Sequence, residues 1–173
     1  MASPRPAWLR WLDRLQLRLR RYGIRGYERV LGIEWIVVTT RGRRSGRPHT
    51  VVLDVVGRDG ADGGWYVQPA EPDAAWVRNV RADPHVVVEA GGRETPADAV
   101  EITGPDGAEV VLRFIRTHPR YARLVVRLVG YVHDVDVPDD ALRAQLRSVI
   151  VFALRPRAQS DRPHGGQSGH PKS

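Results

Sequence analysis

The stretch EWIVVTTRGRRSGRPHTVVLDVVG, from Glu34 to Gly57, decides how the chain is read. Glu34 to Arg41 and Arg47 to Gly57 are dense in Val, Ile, Thr and Trp, whose branched or aromatic side chains suit a pleated sheet, so both halves read as strands. Gly42-Arg43-Arg44-Ser45-Gly46 between them reads as a tight connection. Working toward the C-terminus, the turn-rich run Arg58 to Gly64 leads into a third strand near Trp65 to Gln68. Asp73 is placed to cap a short helix through Ala82 that carries Trp76, Val77 and Val80 on its apolar side, and Pro84 forces a return to extended chain. Strands at His85 to Ala90 and Thr95 to Ile102 follow, joined by a turn at Gly91-Gly92.

Pro105 and Asp106 start a helix through Thr117 whose expected core face is Val110, Val111, Phe114 and Ile115. Pro119 breaks it, and Arg120 to Tyr131 reads as a further helix. A short helix after Pro138-Asp139-Asp140 precedes Ser148 to Leu154, which reads as a last, buried strand. About six mostly antiparallel strands with peripheral helices give an α+β chain and suit a small barrel better than a doubly wound sheet. No glycine-rich fingerprint follows a strand and opens a helix, so neither a dinucleotide fold nor a P-loop is supported.

The ends differ from the middle. Trp8, Trp11, Leu12, Leu15, Leu19 and Tyr22 recur at spacings of three and four, while Arg10, Arg14, Arg18 and Arg21 line another face. Residues 1–31 therefore read as a basic amphipathic helix, residues 32–155 as the folded domain, and residues 156–173 as a tail too rich in Gly, Ser, Pro and charge to build a core. The helix either packs its Leu/Trp stripe on the domain or lies against anionic lipid through residues 7–29.

Composition narrows the chemistry. The 173 residues are 42% hydrophobic and 27% charged, ordinary globular usage, and arginines interrupt every run long enough to cross a bilayer. With no cysteine, disulfides, thiolate metal sites and a cysteine nucleophile are all excluded. The six histidines lack the i, i+4 pairing of helix-borne ligands, so no metal is expected. The net charge of +7 resides in the ends: residues 1–31 hold eight arginines against two acids, whereas residues 32–154 sum to −2. A near-neutral body argues against nucleic acid as a partner, and the expected location is the cytoplasm, with the inner membrane face as its peripheral variant.

Arg41-Gly42-Arg43-Arg44-Ser45-Gly46-Arg47 places four guanidinium groups, a hydroxyl and glycine-freed backbone amides on one turn. That is either an anion-binding loop or a solvated hairpin turn. The order of segments adds a resemblance. The strand, Gly42-Arg43-Arg44-Ser45-Gly46-Arg47-Pro48, the next strand and hairpin, then Trp76-Val77-Arg78-Asn79-Val80-Arg81-Ala82-Asp83-Pro84 before Val86-Val87-Val88 and a Pro119-x-Tyr121 segment, resemble the deazaflavin-dependent nitroreductase and quinone reductase family over residues 30–155.

The resemblance implies a split β-barrel of the FMN-binding-like kind that binds coenzyme F420, with FMN as the alternative. It assigns the acidic side chain of that coenzyme to Arg43, Arg44 and Ser45, and runs His49, Thr50 and Val51 beside the ring system. Gln68 and Pro69 come at the end of the third strand, and Trp76 and Asn79 close the pocket. Residue by residue, the alternative for Trp76 is a core side chain and for Asn79 a helix-stabilising amide. The implied reaction is hydride transfer from reduced F420 to a quinone, nitro or activated-alkene acceptor, with Tyr121 and His118 as catalytic candidates near it. Imidazole as a class exchanges protons near neutral pH, which would suit His118 as a proton donor, but a histidine before proline at a helix end also caps carbonyls.

In the tyrosine-bearing stretch of that family, only Tyr121 is kept here; His118 and Leu124 stand at other aromatic positions, Asp54 stands where a strand tyrosine is common, and Pro69-Ala70-Glu71-Pro72 replaces a glycine pair. A buried carboxylate needs a partner, so Asp54 is expected to pair with an arginine or face solvent. A reading of another class is a non-catalytic split-barrel protein that binds a hydrophobic ligand or a membrane surface.

Overall fold

The computed structural model describes residues 32–60, 63–123, 132 and 134–157. Six strands close into one barrel: β1 (Trp35–Arg41), β2 (Pro48–Asp59), β3 (Gly64–Val67), β4 (His85–Ala90), β5 (Arg93–Ile102) and β6 (Val151–Pro156). Around the barrel the order is β1-β2-β3-β6-β5-β4, and every pairing is antiparallel. This is the split-barrel architecture, with helices α1 (Ala75–Ala82), α2 (Gly104–Thr117) and α3 (Asp139–Gln145) set between and after the strands.

The pleat sorts the first hairpin into two faces. Ile36 and Val38 on β1, with Leu53 and Val55 on β2, turn into the barrel and join Trp65, Val67, Val86, Val88, Phe152 and Leu154. Trp35, Val37 and Val52, one residue out of phase, form a second cluster on the outside. A bulge interrupts the β2–β3 ladder between Val55 and Gly57, and the inserted Val56 is buried as well. The barrel interior is plugged by α1: Trp76 and Val77 are buried among the strand side chains, and the Trp76 ring meets Phe152 edge-on at 5.2 Å between centroids. Truncating Phe152, 1% exposed, to alanine would cost about 3–5 kcal/mol by lost transfer energy and cavity.

A third cluster covers the outer side of β3 and β6, where α2 and α3 pack Val111, Leu112, Ile115, Leu142 and Leu146 over Val149 and Val151. At its margin the Tyr66 hydroxyl donates to Asp59 at 2.6 Å and the Arg155 guanidinium donates to the same carboxylate at 2.7 Å. Burial pushes the Asp59 carboxyl up, but these two bonds and the arginine charge outweigh it and hold it below the usual carboxylate value.

Several sequence expectations shift. Asp73 is not the cap of α1: the capping position is Ala74, without a side-chain bond, and helical bonding begins with Arg78 N donating to Ala74 O at 3.1 Å. The buried face of α2 is Gly107, Ala108, Val111, Leu112 and Ile115, so the stripe is rotated from the one expected; Val110 and Phe114 sit at its edge, and Phe114 belongs to the outer cluster of β1 and β2. β5 begins two residues early, at Arg93, and the last strand starts at Val151 because Leu146–Ser148 is a turn of 3-10 helix. Residues 119–123 are helical, as expected after Pro119. The expected N-terminal helix, the rest of the Arg120 to Tyr131 helix with Leu124, and the tail beyond Arg157 lie outside the described residues.

Candidate active site

The turn between β1 and β2 is closed by its own backbone and then fastened to the plug helix. Gly42 N donates to Arg47 O at 2.8 Å, Gly46 N donates to Gly42 O at 2.7 Å, and Arg47 N donates to Ser45 Oγ at 3.3 Å. Glycine is required twice. A Cβ at Gly42 would lie 2.9 Å from Ser45 Oγ and 3.0 Å from Arg47 O, and Gly46 has φ +65°. Below the turn, Asn79 of α1, 5% exposed, donates from Nδ2 to Thr40 Oγ1 at 3.1 Å and accepts from Arg43 N at 3.2 Å. Thr40 Oγ1 passes the chain of bonds on to His49 O at 3.2 Å, so one buried amide ties together both strands and the turn.

What the turn presents outward is cationic. The side chains of Arg43, Arg44 and Arg47 are exposed and make no ion pair among the described residues, whereas arginines elsewhere commonly find acids, as Arg58 does with Glu34, Arg81 with Glu101 and Arg123 with Asp136. A rigid turn with unpaired guanidinium forks has the donor chemistry for a phosphate or carboxylate.

The pleat divides the candidates on β2. Thr50 points outward, its Oγ1 lying 3.2 Å from Thr39 Oγ1, while Val51 packs on the barrel interior and His49 sits exposed at the rim beside Thr40. Gln68, half-buried, and Pro69, buried, lead from β3 toward α1. Trp76 lies inside the barrel, 4% exposed, as a core side chain.

At the far end of the same outer face, about 20 Å along β2 from the turn at ~3.4 Å per residue, the Tyr121 hydroxyl donates to Asp54 Oδ2. Asp54 thus takes a phenol as one of its partners. Burial pushes the Tyr121 hydroxyl pKa far above the usual tyrosine value, and the charge and bond of Asp54 add to the rise. Phe114 links the group: its ring meets Tyr121 edge-on at 5.9 Å and stacks on His118 at 4.7 Å. His118 Nδ1 lies 3.3 Å from Phe114 O, so His118 caps the end of α2 while sharing the cluster.

The structure therefore brings Arg43, Arg44, Ser45 and Asn79 together at one end of the hairpin and Tyr121 with His118 at the other. Thr40 and Phe114 were not legible as participants, since their roles depend on partners distant in sequence. Among the described residues no group of histidines and acids could hold a metal ion.

Among solved structures, an F420-H2 dependent reductase is 21% identical over 70% of this chain and 94% of its own, with a TM-score of 0.47. An F420 reductase is 19% identical over 78% and 95% respectively, with a TM-score of 0.45. A pyridoxamine 5'-phosphate oxidase-related, FMN binding protein of Nostoc punctiforme is 14% identical over 82% and 78%, also at 0.45. No curated protein matches the chain. Residues 11–128 match the family described as F420H(2)-dependent quinone reductase, a span of well over half the sequence. The chain belongs to that family.

Proposed function

We propose that this protein is a reductase that transfers a hydride from reduced coenzyme F420 to a quinone, with nitro compounds and activated alkenes as further acceptors to test. The observation that carries the reading is the β1–β2 turn, whose backbone is fastened from below by Asn79 while its guanidinium groups stay unpaired among the described residues. Such a turn meets an acidic tail with its geometry already set, so little ordering entropy opposes binding. Arg43 and Arg44 would bind phosphate and carboxylate oxygens, and the Ser45 hydroxyl, which accepts from Arg47 N, retains its own hydrogen to donate.

When bound, the reduced deazaflavin supplies the hydride; the chain supplies position and exclusion of water. Thr50, Val51, Gln68 and Pro69 would flank the ring system, with Trp76 holding α1 in the barrel mouth and Tyr121 and His118 beside the acceptor.

Mixing the purified protein with reduced F420 and menadione should restore the visible absorbance of the oxidised deazaflavin at a rate proportional to protein. Absence of F420 binding at micromolar concentration would sink the proposal, and preferential retention of FMN would transfer it to that cofactor. The tryptophan and arginine stripe of residues 7–29 supports a second reading, contact with an anionic membrane at the cytoplasmic face, where lipid-soluble quinones reside. Flotation with anionic liposomes, lost on removal of residues 1–30, is the outcome expected of it.

A further inference from the structure

The carboxylate of Asp54 is unusual for where it sits. It projects from the outer face of β2, in register with Trp35 of β1 and two residues along from the buried Val52, a face that is otherwise apolar under Phe114 and Tyr121. A carboxylate there would be costly without a donor, and a donor reaches it from far along the chain, the Tyr121 hydroxyl, 67 residues away in sequence. Among the described groups on the packed elements, Glu34 pairs with Arg58, Arg116 with Asp139, and His118 with the Phe114 carbonyl. Arg123, on the same segment as Tyr121, is bonded to Asp136.

We propose that Asp54 is a positioning residue that takes the hydrogen of the Tyr121 phenol, so that Tyr121 anchors the helical segment over the β1–β2 face and does not act as the acid that protonates the reduced acceptor. The argument is one of charge. If Tyr121 gave up its proton, a phenolate would stand against a carboxylate in a half-buried cluster, two like charges within hydrogen-bonding distance. Burial and Asp54 both oppose that state, and the hydroxyl is held neutral well above the usual tyrosine range. A neutral phenol tied to a strand has a fixed ring plane and a fixed oxygen, which is what an anchor beside an acceptor requires. The inference deepens the F420-reductase reading and rests on it for the presence of an acceptor.

The test has one arm that needs no cofactor. Tyrosinate absorbance is titrated with pH for four proteins: the wild type, Tyr121→Phe, Asp54→Asn and the double variant. The wild type minus Tyr121→Phe difference should stay flat to about pH 11, beyond an unperturbed tyrosine's midpoint near 10. The Asp54→Asn minus double-variant difference should show its step at lower pH than in the wild-type background. A step near pH 10 in the wild type, or an onset that Asp54→Asn leaves unmoved, overturns the role given to Asp54. If Asp54→Asn does not fold, the wild-type difference alone decides. In turnover with reduced F420 and menadione, Tyr121→Phe should raise KM about tenfold and keep kcat within about threefold, the pattern of lost placement. A fall in kcat beyond a hundredfold at constant KM would make Tyr121 the acid. Because the titration uses protein alone, it fails or succeeds independently of whether F420 is the cofactor.

Discussion

Two hairpin turns of this barrel solve the same geometric problem in different ways. Between β4 and β5, Ala90 pairs with Arg93 across a two-residue loop, and Gly91 and Gly92 have φ values of +57° and +83°. Local chemistry closes that turn without help from elsewhere in the fold, because glycine reaches the left-handed region at no steric cost. Between β1 and β2 the connection is longer, carries arginines along its length, and is held by Asn79 from a helix 36 residues further along the chain. A turn that needed only to reverse direction would require neither the buried amide nor the concentrated charge, which by its own repulsion disfavours the closed form. The difference is what the proposed binding of an anionic ligand at the β1–β2 turn would require.

Removing the charge should separate the turns most sharply. Arg43→Ala/Arg44→Ala deletes two forks worth about 1.5–3 kcal/mol each toward a charged ligand, so F420 affinity measured by fluorescence should drop by roughly two to four orders of magnitude. The melting temperature should hardly change. A matching loss of stability would mean the arginines serve the fold. Next comes the fastening itself: Asn79→Ala leaves Thr40 and the Arg43 amide short of a partner and should cost about 1–3 kcal/mol in denaturant unfolding, with weaker cofactor binding alongside. If stability falls and affinity does not, the fastening does not set the turn for its ligand. The smallest effect compares like with like. Gly46→Ala and Gly92→Ala each force a side chain to positive φ, at about 1–2 kcal/mol, but only the first should also lower F420 affinity. Equal effects of both on binding would erase the distinction between the turns.

The strands were legible because β-branched residues crowd both faces of the sheet, so no strict alternation of apolar and polar residues was needed to see them: Ile36, Val37 and Val38 are all buried, two inside the barrel and one outside. Element ends moved by one to three residues, and Asp73 lost its capping role to Ala74, since local hydrogen-bonding preference is weak against the packing of Trp76 into the barrel. The arginine turn was legible as an anion site or a bare hairpin, whereas the Asn79 bonds that fasten it lie in tertiary contacts. Asp54 shows the same limit: Tyr121, one of its partners, is distant in sequence, and no spacing rule joins a strand carboxylate to a phenol beyond two intervening helices.

Each of the six strands has a neighbour on both sides, but the ladders are staggered, and Pro48–Asp54 of β2 pairs with β1 alone among the described residues. Among the described residues that stretch is the margin at which a further strand could add by backbone bonding, so templated sheet growth would be confined to it. The arginine turn beside it, repelled by its own copy, is a poor place for a symmetric contact.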